Sequence, residues 1–143
     1  MDTHSVRLPL AVLLLLAVVA LSVSEGAEAI DPEWNYTTGE GVRSAAISAD
    51  GEYIVAGSDD ENVYLFKKDS STPLWSYSTG NTVRSVAISA DGEYIAAGSN
   101  EYVHLFDKDS STPLWSYSTE SDAQSISISA DGEYIAFGTW NAK

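Results

Sequence analysis

The 143-residue chain has room for one ordinary domain, and its 44% hydrophobic content belongs to a folded protein rather than a disordered one. With 21 acidic against 7 basic side chains the formal charge is −14, which excludes nucleic acid and anionic lipid headgroups as partners, because both need a basic face. The chain has no cysteine, so disulfide frameworks, thiolate zinc sites, iron–sulfur clusters and thiol nucleophiles are excluded as well.

Residues 1–29 read as a secretory signal: a short start carrying His4 and Arg7, an apolar run from Leu8 to Val23, and a small polar stretch ending Ala27-Glu28-Ala29. The strongest part, Leu10 to Leu21, would span roughly 18 Å as a helix against a hydrocarbon core of about 30 Å. Cleavage after Ala29, export and no membrane insertion thereafter are expected; the alternative is an anchor retained through residues 8–23. Just beyond lies Asn35-Tyr36-Thr37, a glycosylation sequon with Asn35 as the acceptor.

Residues 30–143 are one unit copied. Ser48-Ala49-Asp50-Gly51-Glu52-Tyr53-Ile54 returns as Ser89 to Ile95 and again as Ser129 to Ile135, and Trp34, Trp75 and Trp115 recur in step. Repeats of about 20 to 50 residues mark stacked or radial architectures, in which no single unit can bury its own apolar surface. Within a unit, Val83 to Ala90 reads as a first strand, Asp91-Gly92 as a two-residue hairpin loop with positive φ values, and Glu93 to Gly98 as the second strand. Tyr102 to Phe106 reads as a third strand. After the Asp109 to Pro113 interruption, Leu114 to Ser118 reads as a fourth.

Four antiparallel strands in about 40 residues make one propeller blade, so the fold class is all-β, with blade units at about 42–78, 83–118 and 124–143. Small residues fall in the early strands and large aromatics in the later ones, as the taper of a wedge-shaped blade requires. The strands available up to Lys143 amount to about two and a half blades. Closed propellers use about four to eight, which leads to the expectation of either a piece of a longer propeller or a homo-oligomer closing a ring.

The segment Val83-Arg84-Ser85-Val86-Ala87-Ile88-Ser89-Ala90-Asp91-Gly92-Glu93-Tyr94-Ile95-Ala96-Ala97-Gly98-Ser99 resembles the first half of a WD40 repeat. The continuation Leu105 to Trp115 is similar to the tryptophan-docking repeat of quinoprotein (PQQ-type) propellers, with Leu105, Ser110 and Ser111 at that motif's A, T and G positions. The second resemblance implies that Trp34, Trp75 and Trp115 pack between adjacent blades and that Asp107 ties the turn ahead of Trp115.

The chemistry-bearing residues have conformational readings. Asp59-Asp60-Glu61 gathers oxygens as a calcium loop does, but the next copy keeps only Asn100-Glu101 there, which favours a solvated turn. Asp50, Asp91 and Asp131 each precede a turn glycine. His104 has neither a nucleophile nor an orienting acid near it in sequence, and Arg43 and Arg84 read as loop anchors. The residues call for no cofactor, no metal and no catalysis. The reading is therefore an exported, non-enzymatic scaffold whose varying loops, marked by Asp59, Asp60, Glu61, Asn81, Asn100 and Glu101, meet an unknown protein or extracytoplasmic ligand. A fragment of a PQQ-dependent dehydrogenase and a cell-envelope or surface-layer component are the alternatives.

Overall fold

In the computed structural model, which describes residues 32–140, the short alternating runs fold into strands β1 (Val42–Ile47), β2 (Tyr53–Ser58), β3 (Asn62–Lys67), β4 (Trp75–Ser78), β5 (Val83–Ile88), β6 (Tyr94–Ser99), β7 (Tyr102–Asp107), β8 (Trp115–Ser118), β9 (Ala123–Ile128) and β10 (Ile135–Thr139). They form three antiparallel sheets ordered β1-β2-β3-β4, β5-β6-β7-β8 and β9-β10, the sheets of a β-propeller. The leader read over residues 1–29 and its anchor alternative lie outside the described residues.

The hairpin loops differ from the two-residue turn expected at Asp91-Gly92. The ladder ends at Ile88↔Ile95, and the chain between them makes a longer loop in which only the glycine, Gly92 at φ 76°, is left-handed. Aspartate is the reason. The Asp91 carboxylate accepts from the Ser89 hydroxyl at 2.6 Å and from the Glu93 N–H at 3.0 Å, while the Ser89 hydroxyl oxygen takes the Tyr94 N–H at 3.0 Å. These side chains satisfy backbone donors that a tight turn would have paired across the strands, so the longer loop wins. The arrangement recurs at Ser48 and Asp50 and at Ser129 and Asp131.

Each first strand carries a register shift: β1 between Val42 and Ser44, β5 between Val83 and Ser85. A bulge re-aims the extra side chain, and the extra residues here are Arg43 and Arg84. Past each bulge a serine reaches the neighbouring sheet, with the Val86 N–H donating to the Ser44 hydroxyl oxygen and the Ile126 N–H to that of Ser85, both at 3.1 Å. The hairpin loops add Ala49 N–H to the Ala90 carbonyl and Ala90 N–H to the Ala130 carbonyl, both at 3.0 Å. Three sheets are thus joined by the same bonds twice.

Close approach of the sheets explains the small residues of the second strands. A Cβ built on Gly57 would stand 2.5 Å from a Val83 methyl, and one on Gly98 would stand 2.9 Å from the Ala123 Cβ. Between the first two sheets lies the larger core, Val55, Val63, Leu65, Val83, Val86, Ile95, Ala97 and Phe106, capped on the outside by Trp75 and Tyr77. Between the second and third sheets the core shrinks to Ala96, Val103, Leu105, Ala123 and Ile126, because β9 and β10 have no outer strands beside them among the described residues.

Candidate functional site

Strand direction gathers the most variable loops on one rim. The second-to-third-strand loops (residues 59–61 and 100–101) and the fourth-to-first-strand connectors (residues 79–82 and 119–122) all leave the same edge of their sheets, as the pairings Val42↔Ser58 and Asn62↔Ser78 require. Backbone bonds lace them together: Asp59 N–H to the Gly41 carbonyl at 2.8 Å, Thr79 N–H to Glu61 at 2.9 Å and Thr119 N–H to Glu101 at 2.8 Å.

In the first sheet the acidic loop is turned inward. Asp59 pairs with Arg43 at 2.7 Å, and Asp60 accepts from the Gly39 N–H at 2.7 Å, the Tyr64 hydroxyl at 2.7 Å and the Asn62 N–H at 3.1 Å. Burial alone would raise the Asp60 carboxyl, but these donors outweigh it and hold its pKa below the usual carboxylate range. Tyr64 is pushed well above the ordinary phenol value, by burial first and by its hydrogen bond to Asp60 second. Asp59 and Asp60 therefore serve the loop's own geometry.

The second sheet lacks a counterpart of Asp60. Asn100 stands where Asp59 does, accepting from Arg84 Nε at 2.7 Å, and the same guanidinium reaches Asp122 of the following connector at 2.8 Å. His104 stands at the Tyr64 position with Nδ1 2.8 Å from the Ser116 hydroxyl, while its Nε2 is buried without a partner among the described residues. Burial lowers the His104 pKa and keeps the ring neutral.

What faces solvent on this rim is Glu61, Glu101 and Glu120, at φ 71°, 74° and 55°. Left-handed backbone at a residue with a side chain costs about 1–2 kcal/mol and is ordinarily assigned to glycine. Glycine does occupy the connector position in the preceding copy, Gly80 at φ 74°. Asn81 lies half-buried on that connector, where its backbone is tied to the Thr79 hydroxyl. Glu120 and Asp122 join the rim only once the sheets are stacked; the Gly80-to-Glu120 exchange between copies was the available signal.

Trp75 and Trp115 open the outer strands β4 and β8, and Trp34 lies ahead of β1. Trp75 donates its indole N–H to the Lys108 carbonyl of the next sheet at 2.8 Å and lies 5.2 Å from the Phe106 ring; Trp34 stands likewise on the first sheet, bonded to the Lys68 carbonyl and 5.4 Å from Phe66. Trp115 is 40% exposed, with no acceptor for its indole among the described residues. Asp107 accepts from the Asp109 N–H at 2.8 Å in the turn that precedes Trp115. Asn35 is exposed between Trp34 and Tyr36. Between β8 and β10 opens a cleft of about 450 Å³ lined by Tyr117, Glu120, Phe137 and Thr139 among others.

The family model for the WD domain, G-beta repeat, matches residues 33–67 and 71–107, half of the chain. The first match covers β1 to β3, and the second takes in β4 and then β5 to β7, so in the second the sequence repeat and the sheet are offset by one strand. No curated protein matches the chain.

Proposed function

The chain belongs to the WD40 repeat family, whose domains generally mediate protein–protein interaction, and from that premise we propose that it is an exported, non-enzymatic binding scaffold whose rim takes a basic protein surface. The observation that carries this reading is the set of three exposed glutamates, Glu61, Glu101 and Glu120, held in left-handed backbone on a rim where Asp59, Asp60 and Asp122 are bonded within the fold. Strain of this kind gathers at functional positions, since it persists only where the surrounding structure over-determines it. Export rests on the leader composition of residues 1–29 and predicts a secreted form beginning at Ile30.

The test is binding of decalysine to the full chain at low and high salt. E61Q combined with E101Q is expected to weaken binding about tenfold. D69N with E133Q, which removes equal charge from exposed positions on the opposite edge, is expected to leave it within twofold. Equal losses from the two pairs would mean that only net charge is sensed, and the rim reading would fail.

A further inference from the structure

We propose that Asn35 carries an asparagine-linked oligosaccharide in the folded, exported protein. The inference rests on the reading of the chain as exported and does not involve the rim glutamates. Comparison of the copies isolates the signal. Trp34-Asn35-Tyr36-Thr37 stands where the later copies have Trp75-Ser76-Tyr77-Ser78 and Trp115-Ser116-Tyr117-Ser118. The two aromatics and the closing hydroxyl residue are kept in all three, whereas asparagine at the second place occurs only in the first copy and completes an acceptor. No other asparagine of the chain has serine or threonine two places on.

The structure presents this acceptor to solvent. Alternation along an extended segment puts Trp34 and Tyr36 on one side and Asn35 and Thr37 on the other. The rings turn onto the first sheet, 5.4 and 5.1 Å from Phe66, while Asn35 and Thr37 are both exposed. That exposure belongs to the position and not to a missing neighbour. Ser76 and Ser78, the equivalents in the next copy, are also exposed, although their layer is covered on both sides. Trp34 and Tyr36 pack against β3 on one side, and on the other Trp75 and Tyr77 meet Phe106 of β7 at 5.2 Å. A bulky, hydrated substituent is tolerated only at such a surface position.

The transfer asks of this chain only the acceptor. The Asn35 amide nitrogen attacks the anomeric carbon of a lipid-diphosphate-linked oligosaccharide, the donor held by a secretory compartment. The new C–N bond replaces the C–O bond to phosphate, the lipid diphosphate leaves, and one amide proton passes to the transferase. Thr37 acts as a positioning residue, its hydroxyl being what the transferase reads two places beyond the asparagine.

The test is expression of the full chain in a eukaryotic secretory host, which supplies donor and transferase. A secreted product whose intact mass is raised by one glycan is expected, with peptide-N-glycosidase removing the sugar and leaving aspartate at position 35. Asn35→Gln and Thr37→Ala should each abolish the added mass, and Thr37→Ser should keep it. Ser76→Asn, which completes a second acceptor with Ser78, should add a second glycan while the melting curve keeps its single transition. Secreted protein without sugar, a glycan that survives Asn35→Gln, or a glycosylated chain that no longer melts cooperatively would each overturn the proposal. Protein retained in the cytosol would overturn the export reading and this one with it. Decalysine binding, read on unglycosylated chain, stands or falls separately.

Discussion

Gly57, Gly98 and Gly138 hold the same place in successive sheets, and replacing each with alanine separates sheet stacking from everything else the residue does. At Gly57 the new Cβ would meet Val83 Cγ1 at 2.5 Å and Val86 Cγ1 at 3.0 Å, on two buried β-branched side chains. Their stiff χ1 leaves the second sheet to move. Overpacking of this kind costs about 1–3 kcal/mol, offset by about 0.4–1 kcal/mol from the reduced freedom of the unfolded chain. The net expectation is a loss of about 1–2 kcal/mol.

At Gly98 the Cβ would stand 2.9 Å from the Ala123 Cβ and 3.1 Å from its carbonyl oxygen, against a sheet held by a smaller core that yields more readily. A loss of about 1 kcal/mol or less is expected there. At Gly138 nothing among the described residues lies within 4 Å of the new Cβ, so alanine should be neutral or stabilising by up to about 1 kcal/mol. Urea denaturation of the three variants, with m unchanged, reads the series directly. Equal losses at all three positions, or a neutral Gly57→Ala, would refute the stacking geometry.

Ser85→Ala strands the buried Ile126 N–H, and Ser44→Ala the buried Val86 N–H, so each should cost about 1–3 kcal/mol in the same assay. Ser125→Ala, at the repeat position where no N–H donates among the described residues, should be silent. His104 has its pKa lowered by burial, so the unfolded chain binds this proton more readily than the folded one; stability should be full above about pH 6.5 and fall as pH drops from there toward the folded value. H104F removes the orphaned Nε2 and should flatten that part of the profile in pH-dependent melts. Below about pH 4 a second loss is expected, because Asp50, Asp91 and Asp131 are held below the usual carboxylate range chiefly by the Ser48, Ser89 and Ser129 hydroxyls.

The propeller sheets were legible because strand periodicity and the recurrence of the Asp-Gly loop and tryptophan survive in every copy. The taper was legible too, since alanine and glycine in β2 and β6 leave room that Trp75, Tyr77 and Phe106 fill further out. Turn type was not: periodicity locates a hairpin, but competition from the Asp91 carboxylate for backbone N–H groups decides its length. Ser44 and Ser85 carry no signal in the sequence, because their role exists only between sheets. The strained glutamates were hidden because sign of φ is a property of the closed loop. The orphaned His104 nitrogen goes with a loop one residue shorter than that of the first sheet, without a counterpart of Asp60, the carboxylate that Tyr64 uses.

The central claim is that each outer strand seals onto the sheet that follows it, and the indole N–H groups report this one tryptophan at a time. In exchange experiments by NMR, the Trp75 indole, bonded to the Lys108 carbonyl, is expected to persist, and the Trp115 indole to exchange within the dead time. Indistinguishable exchange of the two indoles would contradict the account.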